Sequence, residues 1–292
     1  MLHLASALAL AGAIGFVQAE PARPRTTGER PKARTDAPPI KAIKLILVGD
    51  STMAPASGWA SMFCALHVKS SVACLNIGRG GRSTRSYRQE GSWAIAQNEM
   101  KVAGYAATYV LIQFGHNDQS SAAERWTDMA TEFPANLTRY VAEVKAAGAI
   151  PVLLTPLARR EFKAGKLDNT LAPWAEQVRK VAAATGTALV DLNADSARLI
   201  QQIGAAEATR LAQAEPLPEE LAAAKAGTTL KPRPAEEARL PDLPTTPTGP
   251  RGQHARKFDY THVGDAGARV FAKQVAAGLA RAVPALRSQL VP

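Results

Sequence analysis

Five short apolar runs, separated by segments of helical periodicity, constrain this 292-residue chain more than any other feature. They are 43–48 (IKLILV), 72–77 (VACLNI), 109–114 (YVLIQF), 150–155 (IPVLLT) and 188–192 (ALVDL). Strands covered on both faces need continuous rather than alternating apolar residues, and that is the signature of a parallel sheet. Trp59, Met62, Phe63 and Leu66 recur at helical spacing after the first run, as do Phe133, Leu137, Tyr140, Val141 and Val144 before the fourth. Parallel neighbours need a crossover, so strands alternating with helices predict an α/β fold: a three-layer α/β/α sandwich around a doubly wound, five-stranded parallel sheet. Val270, Phe271, Val275 and Leu279 predict a closing helix within 264–283.

The flanks of this pattern read differently. Residues 1–19 contain no Asp, Glu, Lys or Arg and close on Val17-Gln18-Ala19, which predicts a secretory signal and a secreted or periplasmic protein. An uncleaved anchor is the alternative, because His3 stands where a Lys or Arg is usual. Residues 20–42 hold five prolines and nine charged residues and read as a linker. A single domain is expected over 43–292, with a Pro-rich insertion at about 205–257 that contains eight of the chain's twenty prolines. Helical pieces are expected there through Leu211 and around 219–226. Beyond the first nineteen residues no apolar run approaches the ~20 residues that cross a bilayer, so stable membrane insertion after signal removal is not expected. Export would put Cys64 and Cys74 where a disulfide persists; one bridge between a helix and the second strand and a pair of buried thiols are both open.

The formal net charge of +10 favours anionic partners, whether nucleic acid, a membrane surface or an acidic polysaccharide. Aromatic residues are only 5% of the chain and do not interleave with the basic ones, which argues against nucleic acid. Two cysteines and five histidines without an HExxH pair leave no recognisable zinc pattern, so neither metal nor cofactor is expected. The glycines of 78–81 satisfy neither GxGxxG nor GxxxxGK[ST], which sets nucleotide binding aside.

In an open parallel sheet ligands bind beyond the carboxyl ends of the strands. There the chain carries Gly49-Asp50-Ser51-Thr52, then 76–83 (NIGRGGRS), then Gly115-His116-Asn117-Asp118; Asp259-Tyr260-Thr261-His262 precedes the last helix. A serine needs a neighbouring base, an imidazole needs a carboxylate to hold its tautomer, and an acyl-transfer oxyanion needs fixed donors. Ser51, His262 and Asp259 supply the first three. The backbone N–H groups of Ser51 and Gly81 and the Asn117 amide supply the donors. Taken singly these blocks have bland readings, since Gly-Asp-Ser turns and Asp or Thr before a helix commonly act as caps.

Together the strings GDSTM (49–53), NIGRGGRSTRSYRQEGSW (76–93), IQFGHNDQ (112–119) and DYTH (259–262) resemble the four blocks of the SGNH, or GDSL-type, hydrolases, and in particular the rhamnogalacturonan acetylesterase branch. The resemblance covers about 43–200 and 258 to the end; residues 201–257 match no block. It implies a flavodoxin-like fold and a metal-free serine esterase that removes acetyl groups from acidic pectic polysaccharide such as rhamnogalacturonan. Carried over by position, Ser51, Asp259 and His262 form the triad, and Ser51, Gly81 and Asn117 the oxyanion hole. The triad would equally serve a general short-chain or lipase-like esterase, or a deacetylase of another glycan. A non-catalytic polyanion-binding protein on a hydrolase scaffold is the reading from another class.

Substrate contacts are expected from Arg82 and Arg85, with Asp50 and His116 as further candidates. Arg79, Arg82, Arg85 and Arg88 cluster after the second strand and suit uronate carboxylates, while internal ion pairs with residues such as Glu90 are an equal reading. His116 and Asp118 could instead brace Asn117. Trp59 and Trp93 are candidate sugar-stacking rings, Trp59 fitting the helix core better. His67 reads as structural, and His254 is the substitute base. Oligomeric state is open.

Overall fold

A computed structural model describes residues 41–232 and 258–291. The signal-like segment, nearly all of the linker, His254 and the stretch 233–257 of the expected insertion lie outside the described residues. In chain order the elements are β1 (Ile43–Gly49), α1 (Ala60–Leu66), β2 (Val72–Asn76), α2 (Ser86–Gln89), α3 (Ser92–Met100), β3 (Ala107–Gln113), α4 (Glu132–Ala146) and β4 (Ile150–Leu154). There follow a two-residue hairpin of β5 (Phe162–Lys163) and β6 (Lys166–Leu167), then α5 (Ala172–Thr185), β7 (Ala188–Val190), α6 (Leu192–Thr209), α7 (Pro218–Lys225) and α8 (Asp265–Ala282). A 3-10 turn at Pro284–Gln289 closes the described chain.

Each of the five predicted runs contains a strand, and all pair in parallel in the order β2-β1-β3-β4-β7. Side chains alternate across the sheet. Leu45 and Leu47 of β1 pack with Phe63, Phe271 and Leu279 beneath α1, α6 and α8. Ile46 and Val48 pack with Trp93, Leu137 and Val178 beneath α3, α4 and α5. Both faces of β1 are therefore dry, which is why its run is apolar without interruption. The three-layer sandwich is present as expected. Strand order reverses between β1 and β3, so the crevice beyond their carboxyl ends is the position where an open sheet binds ligands.

After 205 the helical pieces expected through Leu211 and around 219–226 are present. Helix α6 breaks at Gly204, where φ is 78°, and resumes through Thr209, and α7 follows. Ala205, Ala208, Ala212, Ala214 and Ala224 are all buried. Small side chains let these segments approach the core closely, so ordering here does not depend on the large apolar residues that mark the other helices. Ala212 bridges Val263, and Leu211 accepts from the Gly264 N–H, which ties this segment to the loop before α8.

Cys64 of α1 and Cys74 of β2 are joined in a disulfide. No helix among the described residues is long and apolar enough to cross a membrane.

Candidate active site

The turn after β1 is held by hydrogen bonds that leave little freedom at Ser51. Asp50 Oδ1 accepts from the Thr52 N–H at 2.9 Å and from Thr52 Oγ1 at 2.8 Å. Gln113 of β3 donates to Thr52 Oγ1 at 2.5 Å and accepts from Trp59 Nε1 at 2.9 Å. The chain then doubles back, with the Trp59 N–H on Thr52 O, and Ser57 Oγ donates to the Ser51 carbonyl at 2.7 Å. Gly58 permits that return, because a Cβ there would lie 2.2 Å from Thr52 O.

Ser51 Oγ lies 2.7 Å from His262 Nε2, and His262 Nδ1 lies 2.7 Å from Asp259 Oδ2. Ser51 and His262 come from opposite ends of the folded domain, 211 residues apart in sequence. Asp259 Oδ1 also accepts from the backbone N–H groups of Thr261 at 2.8 Å and His262 at 2.6 Å. Burial pushes the Asp259 carboxyl up. The His262 imidazole, by hydrogen bond and charge, and the two backbone donors outweigh it and hold the carboxyl well below the usual carboxylate range. An ionised Asp259 accepts a hydrogen bond from the Nδ1–H, which fixes the tautomer with Nε2 as the acceptor facing the Ser51 hydroxyl.

The expected oxyanion donors meet at the same edge. Neither the Ser51 nor the Gly81 backbone N–H donates to an acceptor among the described residues. Asn117 Nδ2 donates to Arg82 O at 3.1 Å, which brings its amide beside Gly81 and leaves its second hydrogen for a ligand. Gly81 has φ 78°, a conformation that side-chain-bearing residues rarely adopt. The loop that carries it is pinned to the nucleophile turn: Asn76 Nδ2 donates to Met53 O at 3.1 Å, and the Arg79 N–H to Gly49 O at 2.9 Å.

A family model described as GDSL-like Lipase/Acylhydrolase matches residues 47–270. The chain belongs to that family. It is 33% identical over 180 residues to rhamnogalacturonan acetylesterase RhgT of Bacillus subtilis, an alignment covering 59% of this chain and 74% of the relative. It is 28% identical over 155 residues to the protein named probable rhamnogalacturonan acetylesterase YesY of the same organism, covering 51% and 69%. The crystal structure of protein YxiM from Bacillus subtilis superposes with a TM-score of 0.59 at 22% identity, over 83% of this chain and 57% of that one. This chain thus spans little more than half of YxiM, and the likeness concerns the fold. With this membership the chain is a metal-independent serine ester hydrolase.

Around Ser51, His262 and Asp259 the other expected residues are placed as follows. Asp50 and His116, considered as substrate contacts, are buried at 0% and 6% exposure, with His116 Nδ1 3.3 Å from Asp50 Oδ2. They lie under the turn that carries Ser51, which is itself 8% exposed. Arg82 is paired with Glu90 at 2.7 Å and donates to Gly80 O at 2.5 Å. Arg85 forms a two-pronged pair with Glu132, and Arg88 pairs with Glu143 at 2.7 Å. These guanidiniums are already engaged by carboxylates, as the ion-pair reading has it. Asp118 accepts from the Thr84 N–H, Thr84 Oγ1 and Thr127 Oγ1, which fixes the loop holding Asn117. Trp59 and Trp93 are core residues at 0% and 3% exposure. His67 accepts a structural role, its Nδ1 lying 2.8 Å from Val291 O.

Sequence reasoning missed Arg160. It is fully buried, yet its guanidinium donates to Asp259 O at 3.0 Å, Thr261 O at 3.3 Å and His262 O at 2.7 Å. Its backbone N–H donates to Tyr260 O at 2.9 Å. One residue therefore satisfies four successive carbonyls of the triad loop. Burial pulls the guanidinium down to about 10, with the Asp259 carboxylate opposing, so it stays charged at neutral pH. No pattern at 155–161 announces this, because the partners are backbone atoms some hundred residues away.

Proposed function

We propose that Ser51 is the nucleophile, His262 its general base and acid, and Asp259 the group that orients His262, in an enzyme that removes acetyl groups from an acidic pectic polysaccharide such as rhamnogalacturonan. The observation that carries the catalytic part is the unbroken chain Ser51 Oγ, His262 Nε2, His262 Nδ1, Asp259 Oδ2, with 2.7 Å at each hydrogen bond. Ser51 Oγ bonds to the acetyl carbon while its proton passes to Nε2, and the carbonyl oxygen becomes an oxyanion facing the Ser51 and Gly81 N–H groups and the Asn117 amide. The bond to the sugar oxygen then breaks, and that oxygen takes the proton from Nε2. Water, deprotonated by His262, attacks the acetyl-enzyme, and acetate leaves as Ser51 regains its proton.

A carbohydrate ester as substrate is supported by the names of the two relatives. An acidic polymer is supported by the net charge of +10 and by Arg159. Arg159 reaches Thr261 Oγ1 at 3.2 Å and Thr170 Oγ1 at 3.3 Å and meets no carboxylate among the described residues. The signal-like first nineteen residues and the Cys64–Cys74 disulfide support export to the periplasm or beyond.

The test is acetate release from acetylated rhamnogalacturonan, acetylated xylan and a longer-chain acyl ester by the wild type and by Ser51→Ala. Wild-type activity highest on the first, with a loss of at least about 10,000-fold in the variant, is expected. A preference for long acyl chains removes the polysaccharide reading, and near-normal activity of Ser51→Ala removes the nucleophile.

A further inference from the structure

The loop after β3 forms one wall of the site. It leaves the fold at Asp118 and returns at Thr127, where the Thr127 N–H donates to Asp118 O at 3.0 Å and its hydroxyl to Asp118 Oδ1 at 3.0 Å. It begins one residue after Asn117. On one side the space that a Cβ at residue 81 would occupy is covered by the Arg125 guanidinium, with Cζ 3.5 Å and Nη1 3.6 Å away. On the other, the Gln119 amide, assigned with its oxygen toward the Arg159 guanidinium, accepts from it at 3.1 and 3.2 Å, and Arg159 in turn donates to Thr261 Oγ1. The excursion 119–126 thus spans the rim from the oxyanion side to the triad side.

Two residues at its end stand out. Among the described residues Arg125 has one ion pair, with its neighbour Glu124 at 3.6 Å, and the two side chains are 42% and 66% exposed. A long pair in that much water contributes little and is readily exchanged for a better carboxylate. Trp126 is 47% exposed, whereas Trp59, Trp93 and Trp174 are all buried. An indole left in water, one residue from a weakly paired guanidinium that lies against Gly81, supplies the two features that an acidic sugar ring requires. Its C–H face lies against a flat aromatic surface, and its carboxylate takes a forked pair of N–H donors.

We propose that Arg125 and Trp126 form a subsite for an anionic pyranose unit of the substrate, Trp126 meeting the ring and Arg125 its carboxylate, beside the oxyanion hole. This rests on the carbohydrate-esterase reading above and deepens it, because it assigns the recognition of charge to the loop after β3 and away from the paired arginines after β2. An acetyl ester without a sugar bypasses the subsite.

The experiment measures kcat/KM for acetylated rhamnogalacturonan, acetylated xylan and 4-nitrophenyl acetate with the full chain carrying Arg125→Gln or Trp126→Ala. The readout is the ratio of polymer to small-ester activity within each protein, in which the folded fraction cancels. For Trp126→Ala the ratio should fall at least tenfold for both polymers. For Arg125→Gln it should fall at least tenfold for the acidic polymer and less than threefold for the neutral one. Ratios within twofold of wild type for both variants overturn the subsite alone. Equal losses on the two polymers in Arg125→Gln overturn the carboxylate contact. A wild type that hydrolyses 4-nitrophenyl acetate but releases no acetate from either polymer overturns the carbohydrate reading and the subsite with it.

Discussion

At the scale of single residues the site is built from groups with few alternatives. Asn117 has one amide hydrogen committed to Arg82 O, so the other is directed before a substrate arrives. Removing one such donor typically lowers turnover by about 100- to 1,000-fold, and Asn117→Ala should lie in that range with KM changed far less. A kcat within fivefold of wild type would remove Asn117 from the oxyanion hole. Arg160 is equally specific, because it answers the four carbonyls of residues 259–262. Arg160→Met keeps the apolar bulk but strands three part-buried carbonyls, each worth about 1 kcal/mol or more unmet. It should lower unfolding free energy by about 3 kcal/mol or more and reduce kcat. Denaturant unfolding indistinguishable from wild type would show the triad loop to be self-supporting.

At the scale of elements, the disulfide fastens α1, which follows the nucleophile turn, to the edge strand β2, which leads into the Gly81 loop. Closing a loop of ten intervening steps restricts the unfolded chain by about 3 kcal/mol in the chain-entropy account. The pair Cys64→Ala with Cys74→Ala should lose about that much stability and keep its esterase activity at 25 °C, measured by denaturant titration and turnover; unchanged stability would show that the bridge adds nothing. Elements also decide what can be read in advance. The strands were legible because β1, β3 and β4 are wet on neither face, so their apolar runs are continuous. The helical pieces through Leu211 and around 219–226 were legible too, whereas the hairpin of β5 and β6 was not, because two-residue strands have no periodicity to detect. Ser51, Asp259 and His262 could be singled out because they sit in short strings, the first just after β1 and the other two just before α8. The partner of Arg85 was not legible, since Glu132 lies 47 residues from it and only the fold brings them together.

At the scale of the whole molecule, two buried carboxyls of the site act on stability in opposite directions. Burial lifts the Asp118 carboxyl to about 7, with the Asp50 charge adding to the rise and donors from Thr84 and Thr127 opposing it. In the unfolded chain it titrates near about 4. Between those values the folded state keeps a proton that the unfolded state has released, so stability falls as pH rises through that window and levels off above it. The Asp259 carboxyl is depressed instead, so its contribution is complete above the unfolded value and is lost only as pH drops below it. Asp118→Asn resembles the protonated form, and its Tm should decline less than that of the wild type between pH 5 and 8. An equal decline in both would place the dependence elsewhere.

The account depends on Ser51 being the activated hydroxyl, and covalent labelling reads that directly. Folded protein at pH 8 is treated with a serine-directed 4-nitrophenyl phosphonate, and the adduct is located by peptide mass spectrometry. One adduct on Ser51, forming in step with the loss of acetate release and slowed at least about 100-fold in His262→Ala, is the expected result. Complete inactivation with the label on another residue, or full activity with Ser51 modified, would contradict it.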